Sequence, residues 1–370
     1  MPRPGRARNR DAGRGRRYVS PMPNRRRVLS LAAIGSALGV AACAVQGVRG
    51  GANPYYSGPV SDHFDGTRFF NPGGTPPGGF GDLLRWQFGG GRADWPDAVA
   101  VTQRAPEAEV ADLRVTMVGH ASMLLQVAGR NLLLDPVWSK RVSPVSFAGP
   151  ARVTAPGVAF DALPRIDAVL VSHNHYDHLD VETLDRLHAR FGMPILTPLG
   201  NDAIIRGRTP AADVRSADWG DALEAAGLSV RLSPCHHWSA RGARDRSMAL
   251  WAAFTVETPV GRVFHVGDTG FDGGRPYRGL PEARLAILPI GAYAPRWFMA
   301  PQHQDPSEAV EGFVLSGARH AVGHHWGTFQ LTNEGREEPP ARLRAALDAK
   351  GIDRARFRPL GPGEAWDVPA

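Results

Sequence analysis

The apolar run Ile166-Asp167-Ala168-Val169-Leu170-Val171 passes directly into Ser172-His173-Asn174-His175-Tyr176-Asp177-His178. The run reads as a buried strand. Residues two apart on an extended segment point the same way, so His173 and His175 can reach one cation together. Asp177 and His178 lie on the turn into a helical pattern over Val181 to Ala189, and can reach a second cation beside the first. Neutral imidazole and carboxylate suit Zn²⁺, with Fe or Mn as further fits. Two such ions about 3.5–4 Å apart make a hydrolytic centre. This feature constrains the fold more than any other, because the missing ligands have to reach the same strand edge from loops on a rigid scaffold.

Three more loops offer them. Pro234-Cys235-His236-His237-Trp238-Ser239 follows a strand-like Leu228 to Leu232. Gly267-Asp268-Thr269-Gly270 follows Arg262 to Val266, and Gly323-His324-His325-Trp326-Gly327-Thr328-Phe329 follows His320 to Val322. Spacing alone separates neither His236 from His237 nor His324 from His325. Gly-Asp-Thr-Gly is also good turn chemistry, so Asp268 has an ordinary reading as a turn residue. Cys235 reads more simply as a small buried side chain than as a ligand.

The order His-x-His-x-Asp-His, then His, Asp and His, resembles the metallo-β-lactamase superfamily over roughly Leu113 to Trp366. The resemblance implies a four-layer αβ/βα sandwich holding two divalent ions per chain, Zn²⁺ by default. It assigns His173, His175 and His237 to the first ion, Asp177, His178 and His325 to the second, and Asp268 as a bridge between them. His237 is preferred for its place before Trp238-Ser239, and His325 for the His-Trp-Gly-Thr-Phe string. His236 and His324 become supporting or packing residues.

Further strings narrow the branch. They are Ser61-Asp62-His63-Phe64-Asp65-Gly66-Thr67-Arg68-Phe69-Phe70-Asn71-Pro72, Val118-Gly119-His120-Ala121-Ser122, Pro295-Arg296-Trp297-Phe298-Met299, and Gln302-His303-Gln304-Asp305-Pro306-Ser307-Glu308. Together they resemble the N-acylphosphatidylethanolamine-hydrolysing phospholipase D family. The resemblance implies a phosphodiesterase in which hydroxide made at the metals attacks phosphorus of a glycerophospholipid. Asp177, Asp268 and His303 are then the catalytic candidates, with His303 as proton donor to the leaving group. His120, Trp297 and Phe298 are candidate substrate contacts. Sugar-phosphate lactonases share the Gly-His-Ala and His-Trp-Gly strings and are the alternative on the same centre; a non-catalytic lipid-binding lipoprotein is a third reading. One departure stands out: relatives often read Asp-Arg-Asn where this chain has Asp245-Arg246-Ser247.

The formal net charge is +7, but much of the excess lies before residue 28, in Arg3, Arg6, Arg8, Arg10, Arg14, Arg16, Arg17 and Arg25 to Arg27. No basic stripe interleaved with aromatics follows, which argues against nucleic acid as a partner. Asn24-Arg25-Arg26-Arg27-Val28-Leu29 fits the twin-arginine export pattern. The apolar run to Val40 is shorter than the ~20 residues of a membrane span, so it reads as a signal core. Val40-Ala41-Ala42-Cys43 resembles a lipoprotein cleavage box. Cys43 is thus a candidate lipidation site, and the expected location is extracytoplasmic, at a membrane surface. A start at Met22 would give a signal of more usual length. The organisation expected is a signal segment over 1–43, a flexible tether over 44–60, an irregular aromatic-rich extension over 61–112, which the resemblance implies helps form an apolar groove, and a catalytic domain over 113–370. Helices are expected at Val181–Ala189, Asp202–Arg206, Pro306–Leu315 and Pro340–Ala349. Phospholipid and membrane surface are the expected partners, and an oligomer is compatible with the sequence.

Overall fold

The computed structural model describes residues 52–370. The twin-arginine segment and Cys43 lie outside the described residues. Two seven-stranded sheets pack face to face. The first draws on β1 (Leu113–Gly119), β2 (Ser122–Val127), β3 (Arg130–Leu134), β4 (Ala168–Leu170), β5 (Ile195–Pro198), β6 (Val214–Ala217) and β14 (Ala365–Asp367), in the order β14-β1-β2-β3-β4-β5-β6. The second uses β7 (Ala222–Ala225), β8 (Leu228–Ser233), β9 (Ala253–Glu257), β10 (Val263–His265), β11 (Leu285–Pro289), β12 (His320–His324) and β13 (Phe357–Arg358), in the order β13-β12-β11-β10-β9-β8-β7.

The two sheets repeat one plan. In the first, β14, β1, β2 and β3 pair antiparallel, and β3 to β6 pair parallel. In the second, β7 to β10 pair antiparallel, and β10 to β13 parallel. The sequence shows no internal repeat, so the symmetry belongs to the topology. Parallel strands need crossovers, and helices supply them: α2 (Val181–Phe191) and α3 (Asn201–Arg208) on the first sheet, α5 (Pro306–Leu315) and α6 (Glu338–Ala349) on the second. Strand residues therefore bury both faces. Leu132, Leu134 and Leu170 pack between the sheets with Phe254, Ile287 and Val322. Leu133 and Val169 face outward onto Leu184 and Leu187 of α2. Phe264 and Leu288 pack on Val310, Phe313 and Leu343 of the opposite helical layer. The four-layer αβ/βα sandwich follows.

Helix ends are set locally. Asp180 caps α2 by accepting from Thr183 N, and Gly192 closes it in the left-handed region. Asp305 caps α5 with Pro306 in its first turn, and Glu308 completes a capping box.

Two expectations change. The described end of the proposed tether, residues 52–60, is docked: Asn53 Nδ2 donates to Thr67 O and Met248 O, both at 2.8 Å, and Tyr55 Oη donates to Asp245 Oδ2 at 3.0 Å. The extension is not wholly irregular, since α1 (Phe80–Phe88) lies within it. Glycines on both sides made that stretch read as loop. Leu83 and Trp86 of α1 pack on Phe298 and Met299 of the short helix α4 (Arg296–Met299). Strand β9 begins at Ala253, although the apolar sequence starts at Ala249. The residues before it are held by Asn201 Nδ2 on Leu250 O and Ser239 Oγ on Ala249 O.

Candidate metal centre

The candidate ligands come from the ends of both sheets. His173 to His178 bridge β4 and α2, His237 follows β8, Asp268 follows β10, and His325 follows β12. Their side chains converge in two groups: His173, His175, His237 and Asp268, and Asp177, His178, Asp268 and His325. Ligand atoms within each group lie inside 4.8 Å of one another, and Asp268 belongs to both. Its Oδ2 stands 3.1 Å from His325 Nε2, 3.2 Å from His178 Nε2, 3.8 Å from His237 Nε2 and 4.0 Å from His173 Nε2.

The surroundings fix these rings. Asp135, at the end of β3, accepts from His178 Nδ1 at 2.8 Å and from Ser172 N and Oγ at 2.7 Å. This turns His178 Nε2 toward the centre, in the manner of a carboxylate behind a metal-binding histidine. His237 Nδ1 donates to Gln302 O at 2.9 Å. His120 Nε2 lies 3.0 Å from Asp177 Oδ2, and His325 Nε2 lies 3.1 Å from the same oxygen. His120, Asp135 and His325 all sit at positive φ, between 43° and 64°. Such backbone costs on the order of 1–3 kcal/mol per residue and persists where the surroundings demand it. Gly291 is needed beside them, since a Cβ there would meet His325 O at 2.0 Å.

The electrostatics fit cations. Burial alone would raise both carboxyls, but His325, His178 and His303 pull Asp268 well below the usual range, and His178, His120 and His325 do the same for Asp177. Burial opposes charge on His178 and His325, yet Asp268, with Asp135 and Asp177 for His178 and Asp177 for His325, lifts the first well above its usual value and the second to about 9. Burial and neighbouring imidazoles hold His175 down at about 3, His237 at about 4, and His173 well below its usual value. His173 Nε2 and His175 Nδ1 meet at 2.9 Å, and Asp268 Oδ1 is buried without a hydrogen-bond partner. Neutral nitrogens facing each other beside an unsatisfied carboxylate form the donor set a divalent ion takes, with loss of the protons on His178 and His325.

The other candidates divide. His303 reaches the cluster, with Nδ1 3.8 Å from Asp268 Oδ2. Its backbone is held by Arg296 Nη1 on His303 O at 2.7 Å, and Arg296 pairs with Glu308 at 2.7 Å. Phe298 lines the cleft above the cluster, together with Leu83, Trp86, Val142, Met299 and Leu331. Trp297, expected beside it, points out and is 47% exposed, with the Arg85 guanidinium 4.5 Å over its ring. Adjacent helical residues point about 100° apart, so only one of the pair can face the cleft. His120 sits behind Asp177 and outside the lining of that cleft. His236 turns away, toward Asp272 at 2.9 Å and Thr75 O at 3.0 Å. Cys235 is a buried free thiol, raised by burial. Asp135 escaped the sequence reading. A lone Asp-Pro after an apolar run looks like a strand terminator, and the usable signal was its strand-end position matching that of the ligands.

A sandwich of this topology with a shared-carboxylate His/Asp cluster at one edge defines a metallo-β-lactamase-type hydrolase. Residues 130–326 match the family model of the beta-lactamase superfamily domain, and the chain belongs to that superfamily. Within it, the chain is 35% identical to the N-acyl-phosphatidylethanolamine-hydrolyzing phospholipase D 1 of Caenorhabditis elegans, over 69% of this chain and 76% of that protein. It is 29% identical to a UPF0173 metal-dependent hydrolase of Pyrobaculum arsenaticum, over 68% and 98%. The fold is similar to that of Igni18, a metallo hydrolase from Ignicoccus hospitalis, with a TM-score of 0.50 at 20% identity over 69% of this chain and 98% of that one. The chain is a metal-dependent hydrolase of this superfamily.

Proposed function

We propose that the protein is a binuclear phosphodiesterase of the phospholipase D type, acting on N-acylphosphatidylethanolamine or a similar glycerophospholipid. The observation that carries this reading is the Asp268-centred cluster at the floor of a cleft with apolar walls. The similarity to the nematode phospholipase D supports it. His173, His175, His237 and Asp268 would hold one divalent ion, and Asp177, His178, Asp268 and His325 the other. When bound, the two ions acidify a water and neutralise charge on the phosphoryl oxygens. Asp135 and His120 keep His178 and Asp177 aimed at those ions. Burial holds His303 neutral, with a pKa well below the usual histidine value. It therefore serves as a hydrogen-bond donor to a phosphoryl or leaving oxygen, not as an imidazolium. Leu83, Trp86, Phe298 and Met299 offer apolar surface to acyl chains.

The outer face of α1 supports a lipid surface as partner. Phe80, Leu84 and Phe88 recur every fourth residue and are 47%, 40% and 81% exposed. Among the described residues no helix is long and apolar enough to cross a membrane. The reading adds export by the twin-arginine route and a lipid on Cys43 to hold the protein at its substrate.

The test is to incubate the metal-replete protein with a phospholipid panel and identify products by mass. Release of an N-acylethanolamine together with phosphatidic acid is expected. Turnover of soluble sugar-phosphate lactones with no action on phospholipid would reject the reading.

A further inference from the structure

The loop from His173 to His178 carries His173, His175, Asp177 and His178, four of the seven candidate ligands. It lies between β4, which ends at Leu170, and α2, which begins at Val181. Its shape is therefore set by local bonds and by what packs on it. His178 N and Leu179 N both donate to His175 O, at 3.0 and 2.8 Å. From the loop after β8, Arg241 Nη1 donates to Asn174 O at 2.9 Å and to Leu179 O at 2.7 Å. The same guanidinium lies 3.9 Å over the Tyr176 ring, and Tyr176 Oη donates back to Arg241 O at 3.0 Å. Asn174, Tyr176 and Leu179 alternate with the ligands or directly follow them. One side chain thus touches a neighbour of every ligand in the loop.

Arg241 is itself placed by a buried carboxylate. Asp245 Oδ1 accepts from Gly242 N at 2.7 Å, and Arg241 N lies 3.2 Å from Oδ1 and 3.1 Å from Oδ2. Asp245 Oδ2 also accepts from Tyr55 Oη at 3.0 Å. Burial, and then the Asp245 charge, raise the Tyr55 hydroxyl above its usual value, which keeps it a donor. Tyr55 belongs to the docked segment that Asn53 pins to Thr67 O and Met248 O. Contacts therefore run without a gap from Tyr55 through Asp245 and Arg241 to the ligand loop. Hydrogen bonds to charged groups are the stronger kind, so each link is stiff.

We propose that Arg241 is a positioning residue for the metal centre, and that Asp245 and Tyr55 set Arg241, so that the segment before residue 61 takes part in building the ion sites. This rests on the reading of the His/Asp cluster as a two-ion centre, and it is independent of the substrate. The loop feeds both ligand groups, so loss of Arg241 acts on both ions. Loss of Asp135, which touches His178 alone among the ligands, acts on one. Arg241 also borders the cleft, so a direct contact with substrate is the rival role.

The test strips the full-length protein of metal and titrates it with Co²⁺ against a competing chelator, recording the visible absorption of the bound ions. Arg241→Gln is expected to weaken both ions by about 10–100-fold, the usual effect of losing a group that orients metal ligands, and to change the Co²⁺ spectrum. Arg241→Lys keeps a donor for one of the two carbonyls and should recover part of the loss. Tyr55→Phe removes one hydroxyl and should weaken both ions on the order of threefold, a fraction of what one hydrogen bond to a charged group carries. A folded Arg241→Gln protein with unchanged affinity and spectrum overturns the proposal, and a fall in its kcat/KM would then assign Arg241 to substrate. Weakening of one ion alone overturns it as well. Unchanged affinity in Tyr55→Phe removes Asp245 and Tyr55 from the relay, and overturns the whole proposal if Arg241→Gln fails to fold. An unaltered protein that takes up no Co²⁺ overturns the metal reading itself, and this inference with it.

Discussion

Asp135 and Asp268 occupy matching places in the two sheets. Each follows the strand where antiparallel pairing gives way to parallel: β3 in the first sheet and β10 in the second. Both carboxyls are buried and held below their usual range. Their partners differ. Asp135 meets the outer nitrogen of His178 and the Ser172 backbone, whereas Asp268 Oδ2 faces the inner nitrogens of four histidines. The backbone differs too. Asp135 itself is left-handed, at φ 43°, while in the second sheet Gly267 takes that conformation, at φ 68°, and leaves Asp268 free to extend inward. One topological position thus yields a candidate ligand on one side and the support for a candidate ligand on the other, depending on which residue absorbs the turn.

Four measurements would sharpen or break this contrast. Asp268→Asn should lower kcat/KM on the order of 10³-fold or more, because it removes charge shared by both groups. Metal analysis and circular dichroism should show ions lost with the fold retained, and an active variant with full metal content would contradict the bridging role. Chelation should act on stability more than any single side-chain change. If each ion is normally at about a thousand times its Kd, removing both costs about 8 kcal/mol, about 4 for each site, and lowers Tm by more than about 10 °C in a thermal scan. Asp135→Asn should weaken metal binding by about 10–100-fold, the usual effect of losing the carboxylate behind a metal-binding histidine. A competition titration reads this, and an effect as large as that of Asp268→Asn would erase the distinction between the two aspartates. Gly267→Ala should be the mildest, at about 1–3 kcal/mol in a denaturant titration. Its Cβ would meet Ser172 at 2.6 Å and so disturb the Asp135 hydrogen bonds as well.

The ligand run after β4 was legible because it is local: strand, turn and helix start are contiguous, and imidazole spacing has few other uses. Helices α2 and α5 were legible as helical patterns over Val181–Ala189 and Pro306–Leu315, and in the structure Asp180, Gly192, Asp305 and Pro306 mark ends of these helices. Choosing His237 and His325 over their neighbours needed the family resemblance, since adjacent residues share one spacing. The geometry explains that choice, as His236 is already engaged by Asp272 and Thr75. The short strands β5, β6, β7, β13 and β14 were invisible. At two to four residues, each owes its conformation to a neighbour and not to its own pattern. Helix α1 was hidden by its glycine flanks, and the orienting role of His120 depends on Asp177, 57 positions away.

The two candidate ion sites draw side chains from both halves of the sandwich, so neither exists in a half-formed chain. His173 to His178 ride on the first sheet; His237, Asp268 and His325 ride on the second. An ion at either site would therefore need both halves in place before it could be held by its full set of side chains. Any ion held there would tie the two halves together at the edge on which the cleft opens.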